Sequence, residues 1–251
     1  RDLNLPIESL RNRSLEIVQE MDGKFPNYFG DQRFGSARPI THQVGRHILR
    51  GEFEEAVWTY IAKPYDTEYK SIRKTREELW ETRDPEDAAE DFPESYRYEK
   101  TLLYHLNKNP DDYRGAIKRL PEGLQELFVH AYQSWVFNRT LSTLLEEDWY
   151  EEEYEMPLVG YKTDLKDNRP ENLVKEILEE EGVSQEDFRL QEFPELRSEG
   201  TYRRAFADFR NFEIIDIGED QLNMNSHTMT VKFDLPKGCY ATVLLREIMK
   251  G

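Results

Sequence analysis

One stretch of the 251-residue chain concentrates side chains able to do chemistry: Pro26-Asn27-Tyr28-Phe29-Gly30-Asp31-Gln32-Arg33-Phe34-Gly35-Ser36-Ala37-Arg38-Pro39. Glycines at 30 and 35 permit positive φ and close backbone approach. Tyr28, Phe29 and Phe34 offer ring faces on which a base can stack, an interaction worth roughly 1–3 kcal/mol per base. Arg33 and Arg38 carry planar donor forks that match phosphate oxygens. Asn27 and Gln32 can read a base edge or tether a carboxylate. These residues fit a nucleotide or nucleic-acid loop. A tight structural loop is the competing reading of the same residues.

Elsewhere the chemistry is thinner. His42 and His47 are five residues apart with no carboxylate between them, which is not the H-E-x-x-H spacing of a zinc protease. Cys239 is the single cysteine. It follows Gly238 and precedes a helical pattern, where a thiol pKa can fall, but no motif ties a histidine to it, and a small packed residue is the simpler reading. One cysteine also excludes a disulfide framework or a Cys-rich metal site. No G-x-x-x-x-G-K-[ST] occurs. Asn12-Arg13-Ser14 and Asn138-Arg139-Thr140 match the glycosylation pattern, but both fall in helical patterns and are read as chance.

The elements that must position the loop follow from composition and periodicity. Aromatic residues make up 12% of the chain, enough for a core. No apolar run approaches the roughly 18 residues of a membrane helix, and no basic, apolar leader is present. The net charge is -17, and it is unevenly placed. Residues 1–44 hold six basic and six acidic side chains, and residues 196–251 hold eight and eight. The centre, 45–195, holds 20 basic and 37 acidic side chains and carries the whole excess. Solvated helix faces account for such a bias, as does a salt-adapted cytoplasm.

Leu10, Ser14, Ile17 and Met21 fall on one helical face and predict a helix over 9–22, stopped by Gly23. Residues 24–39 are predicted to be loop. Helices are predicted at 42–50, 53–62, 70–82, 96–107, 111–120, 122–145 and 171–181, with a break over 84–94 and a helical turn from Ser184. Strand signals gather near the end, at Phe212–Ile217 and in the alternation of Met229, Val231, Phe233 and Leu235. Ala241, Leu244, Leu245 and Ile248 predict a closing helix. The economical topology is an α/β core at the two neutral ends (1–44 and 196–251), interrupted by a mainly helical insertion (45–195).

Asn27 through Gly35 reads N-Y-F-G-x-Q-R-F-G, and this resembles the signature of the TruD family of tRNA pseudouridine synthases. More of the chain is similar in order and spacing. Arg38-Pro39 with Thr41-His42 and Gly45 resembles the family's continuation into its inserted domain. Ala131-Tyr132-Gln133-Ser134 with Asn138 resembles its AYQS…N helix. Leu235-Pro236-Lys237-Gly238-Cys239-Tyr240-Ala241-Thr242 followed by Leu245-Arg246-Glu247 resembles its LPxGSYAT…LRE segment, with Cys239 where serine is usual. The long insertion and Leu158-Val159-Gly160-Tyr161 are closer to the archaeal and eukaryotic branch.

The resemblance implies isomerisation of a uridine in tRNA, classically at position 13, to pseudouridine. The base is flipped from its stack, detached, turned and rejoined through carbon 5. The implied fold class is α+β, a discontinuous and here incomplete mixed-sheet catalytic core interrupted by a helical insertion domain, and no metal or other cofactor is implied. The partner is tRNA, the protein a cytoplasmic monomer without membrane attachment. Asn27 and Phe29 are the implied pocket residues: Phe29 as stacking wall, Asn27 as positioner of the catalytic aspartate or the base. Tyr28, Gln32, Arg33, Phe34, Arg38, Arg203 and Arg204 are expected to contact RNA, although Arg203-Arg204 also reads as a solvated pair. The family's catalytic aspartate sits in a K-D-x-x-A-type motif that has no match here. Asp2 lacks the context, and Lys166-Asp167-Asn168 has no matching continuation. The expectation is therefore a segment whose nucleophile and some core strands lie upstream. Two other readings use the same residues: a non-catalytic RNA-binding module retaining part of the cleft, and a helical protein-interaction domain.

Overall fold

A computed structural model describes residues 6–86, 88–151, 153–221, 223 and 226–250. Asp2 lies outside the described residues. The chain is α+β and divides into two compact units. Unit 1 comprises 1–30, 145–155 and 204–251, and unit 2 comprises 31–144 and 156–203.

Unit 1 begins with α1 (Ile7–Glu20). Its buried residue is Ser14, with Leu10, Ile17 and Val18 half-buried on the same side. Asp22 and Gly23, both at positive φ, turn the chain into β1 (Lys24–Pro26). β1 pairs antiparallel with β4 (Phe206–Asp208), setting Phe25 opposite Ala207. β5 (Arg210–Glu219) and β6 (His227–Asp234) form an antiparallel hairpin with bulges near its start. α10 (Ala241–Lys250) closes the unit. Phe25, Ala207, Phe209, Val243, Leu244 and Ile248 make its core. The predicted alternation in β6 is present but shallower than half-buried. Val231 and Phe233 are partly covered, whereas Met229 is 36% exposed. Among the described residues β5 and β6 pair only with each other, and a lone two-stranded ribbon covers its residues less than a wider sheet does.

Unit 2 is helical. Its elements are α2 (Thr41–Leu49), α3 (Phe53–Ala62), α4 (Lys70–Thr82), α5 (Ala88–Asp91), α6 (Arg97–Lys108), α7 (Tyr113–Ile117), α8 (Glu122–Glu146) and α9 (Arg169–Glu180). α8 runs into the 145–155 segment of unit 1. It buries residues along its whole length, from Gln125 to Leu144, because apolar side chains circle it rather than forming one stripe. Ser184 caps a 3-10 turn (Gln185–Arg189) reciprocally with Asp187. β2 (Glu155–Leu158) pairs with β3 (Thr201–Arg204). Strands therefore also occur outside the chain ends. β1 and β3, within segments predicted as loop or unassigned, are too short to show a period of two.

Sequence reasoning placed 31–44 with the first core piece. In the structure these residues pack in unit 2, and the predicted division after residue 44 falls inside α2. The cause is local. Gly45 lets α2 lie against α8, since a Cβ there would stand 2.0 Å from the Phe128 carbonyl oxygen. Gly45→Ala is expected to destabilise the protein by about 1–3 kcal/mol through overpacking, measured by urea denaturation. An unchanged midpoint would show that α2 and α8 adjust freely.

Candidate RNA-modifying site

The signature motif straddles the two units: Asn27 to Gly30 belong to unit 1, Asp31 to Gly35 to unit 2. In unit 1, β1 ends at Pro26 and delivers Asn27 and Phe29 to a buried position, at 5% and 6% exposure. Asn27 is held at both ends. Its backbone N–H donates to the Ala205 carbonyl at 2.8 Å. Its side-chain amide donates to the Arg204 carbonyl at 3.0 Å. Phe29 meets Tyr240 edge-on, with centroids 6.1 Å apart. Tyr240 belongs to the Leu235–Thr242 segment, so the N-Y-F and C-terminal motifs meet through these two rings. Tyr28 and Tyr240 both pack against the unit-1 core. Cys239 is half-buried on the same cluster, in the turn that enters α10.

In unit 2, Asp31–Arg33 forms a 3-10 turn. The Phe34 carbonyl accepts from the Thr41 hydroxyl at 2.8 Å and from the Thr41 N–H at 3.1 Å. Gly35 sits at φ 100°, and a Cβ there would stand 2.3 Å from the Arg38 carbonyl oxygen, so only glycine closes this loop. Gln32 is exposed and Arg33 half-buried. Phe34 packs edge-on against the His42 ring at 5.5 Å.

Arg38 points inward. One of its terminal nitrogens donates to the carbonyls of Thr59, Tyr60 and Lys63 at 3.2, 2.8 and 3.1 Å. Its guanidinium also lies 3.6 Å from both Glu68 and Glu99. Burial, then the nearby Arg76 cation, pulls its pKa down to about 10, which leaves it charged at neutral pH. The structure thus makes Arg38 an internal clamp for the 35–40 loop, where the sequence suggested a phosphate contact.

Arg203 and Arg204 lie in β3. The Arg203 guanidinium sits 5.9 Å over the Phe137 ring. Arg204 forms an ion pair with Glu153 at 3.0 Å and is half exposed. Three neighbouring cations of α4 part ways: Arg73 and Lys74 pair with Glu77 and Glu78 on the helix surface, whereas Arg76 is 1% exposed and belongs to the core. Gln133 of the AYQS helix ties α8 to the chain around it, donating to the Val159 carbonyl at 2.6 Å and the Ser198 hydroxyl at 2.8 Å. Arg76 and Gln133 serve the fold, Arg76 inside the core and Gln133 tying α8 to residues 159 and 198. For Gln133 the signal was its place in the AYQS motif, whereas nothing in the sequence set Arg76 apart from Arg73 and Lys74.

His42 stacks on Trp135, and His47 pairs with Glu52 at 2.7 Å. Among the described residues no group of three or more His, Cys, Asp or Glu is placed to hold a metal. Nor is any helix among them long and apolar enough to cross a membrane.

Comparison with known proteins agrees with the motif. A family profile for tRNA pseudouridine synthase D (TruD) matches residues 1–155 and 151–248. A Methanococcoides burtonii protein named as a probable tRNA pseudouridine synthase D is 32% identical over 100% of this chain and 66% of its own length. A Methanopyrus kandleri protein of the same name is 37% identical, over 94% of this chain and 60% of its own. A Methanosarcina mazei crystal structure carrying the tRNA pseudouridine synthase D name superposes with a TM-score of 0.86 at 31% identity, covering 100% of this chain and 67% of that one. The chain therefore spans about 60–66% of the length of these two curated relatives. Motif, matched length and superposed fold converge: the chain belongs to the tRNA pseudouridine synthase D (TruD) family.

Proposed function

We propose that this chain supplies the RNA-binding part and one wall of the active site of a tRNA pseudouridine synthase. The observation that carries this reading is the pairing of Phe29 with Tyr240 beside the doubly held Asn27. Two motifs far apart in sequence thereby build one aromatic corner. Phe29 is the wall on which the flipped uridine stacks, and Tyr240 fixes its ring. Asn27, oriented by the Arg204 carbonyl, positions the base or the nucleophile. In unit 1, Tyr28 and Arg204 are proposed RNA contacts; in unit 2, Gln32 and Arg33 are, with Phe34 and Arg203 anchored on the His42 and Phe137 rings. The nucleophile is an aspartate outside these 251 residues, in a cytoplasmic, monomeric protein that needs no cofactor. Within the chain alone, the activity is RNA binding without isomerisation.

Pseudouridine formation on an unmodified tRNA transcript tests this, with the 251-residue chain and a longer form assayed side by side. The longer form is expected to react and the shorter one only to bind. In the longer form, Phe29→Ala should lower kcat/KM by about 5- to 150-fold, the equivalent of one lost base stack. Circular dichroism checks that the variant folds. Turnover by the short chain would overturn the reading and direct mutagenesis to Asp31 and Asp208. A folded Phe29→Ala enzyme with unchanged kcat/KM would remove Phe29 from the pocket.

A further inference from the structure

Unit 2 holds a cleft of about 310 Å³ that the motif chemistry leaves unused. α2 contributes His42, Gln43 and Arg46, the residue after α3 contributes Lys63, and α8 contributes Tyr132 and Trp135. Glu181, just past α9, is the carboxylate of the lining. The surrounding sequence is strongly acidic, yet here two cations face one carboxylate.

Three buried polar atoms of this lining lack a hydrogen-bond partner among the described residues: His42 Nδ1, Arg46 Nε and the Tyr132 hydroxyl. Tyr132 is 1% exposed. A buried group left unsatisfied is costly, and all three belong to residues that line this one cleft. The remaining groups are largely donors. Lys63 Nζ donates to Gln43 Oε1 at 2.5 Å and carries two further N–H bonds. Arg46 Nη1 donates to Glu181 Oε2 at 2.7 Å, which engages that carboxylate. Rings hold the frame: His42 lies parallel to Trp135 at 5.7 Å, and Tyr132 lies nearly parallel to Trp135 at 5.9 Å. Burial, with the Arg46 and Lys63 cations, pushes His42 down to about 4, so its ring is neutral at physiological pH. A donor-rich lining of net positive charge suits an oxyanion. The volume exceeds that of a phosphate ion several times over and reaches the range of small-ligand pockets.

We propose that this cleft binds a phosphate group carried on a nucleotide, with Arg46 and Lys63 opposing its charge and Tyr132 and His42 bonding its oxygens. The nucleotide is either part of the bound RNA or a free mononucleotide, and the RNA source rests on the function proposed above.

The wild-type chain and the Lys63→Gln and Tyr132→Phe variants are titrated calorimetrically with uridine 5′-monophosphate, inorganic phosphate and a tRNA transcript. Tyr132→Phe removes a single oxygen and Lys63 lies at a helix end, so both variants should fold, as thermal melts would verify. Each is expected to weaken binding about tenfold, and Lys63→Gln should reduce the salt slope of RNA binding by about one phosphate equivalent. Loss confined to RNA identifies a backbone phosphate. Loss of mononucleotide binding identifies a free nucleotide. Mononucleotide binding that both variants weaken, with no RNA binding by wild type, sustains the cleft and sinks the RNA reading instead. Wild-type affinity in both variants, or no binding of any of the three ligands, overturns the proposal.

Discussion

Arg76→Met is expected to lower the unfolding free energy by about 3–5 kcal/mol, the range for removing one partner of a buried ion pair. Arg76 Nε donates to Glu68 at 2.9 Å, and Nη2 donates to Glu99 at 2.9 Å. Nη1 also donates to the Ile61 carbonyl. The guanidinium lies 5.2 Å over Phe92 and 5.5 Å from the Tyr96 ring centre. Arg38 faces the same two carboxylates, so two cations balance two anions inside unit 2. Deleting Arg76 leaves one negative charge uncompensated, and it also loosens the partners that hold Arg38 and the 35–40 loop. Most of the cost is the stranded charge, not the loss of a favourable pair. Arg76→Met combined with Glu99→Leu should therefore be much less destabilising than the single change. Urea denaturation of the single and double variants measures both. A loss below about 1 kcal/mol in Arg76→Met would mean that water or another cation compensates the carboxylates.

The second large effect is on pH dependence. His42 titrates near 4 in the folded chain against 6.5 when unperturbed, because it is buried and faces Arg46 and Lys63, with Glu181 opposing. The folded value is the lower one. Above pH 6.5 neither state is protonated and the shift has no effect. As pH falls through 6.5, the unfolded chain takes up a proton that the folded chain refuses until about pH 4. Stability should fall over that window by about 3 kcal/mol from this residue alone. His42→Phe keeps a ring against Trp135 and removes the titration. Its unfolding free energy should decline less between pH 7 and pH 4, by that amount. Parallel pH curves for variant and wild type would show that His42 protonates freely in the folded state.

Much of unit 2 was legible in advance. α3 and α4 begin and end at the predicted residues. The predicted helix over 111–120 shrank to Tyr113–Ile117, closed at its start by the Asp112 side chain. β1 and β3 escaped detection, since strands of three or four residues carry too few alternations and exist only through their partners in β4 and β2. The motif was legible as chemistry, but not as two halves lodged in different units.

The sequence alone determined the family, most helices of the insertion and the two motifs, the aromatic, glycine-bearing loop and the distant segment around Tyr240. Those are properties of residue type and spacing. That the two motifs meet through Phe29 and Tyr240 came only from the structure. Only the tertiary structure decided which cations serve the fold. Arg38 and Arg76 read like any other arginine in a basic, polar stretch, yet both are drawn inward. The reason is that burial of a charge depends on carboxylates and carbonyls brought from elsewhere in the chain, here Glu68, Glu99 and the end of α3. The same holds for the cleft at Lys63. Its donors come from three helices and converge only when α2, α3 and α8 pack together.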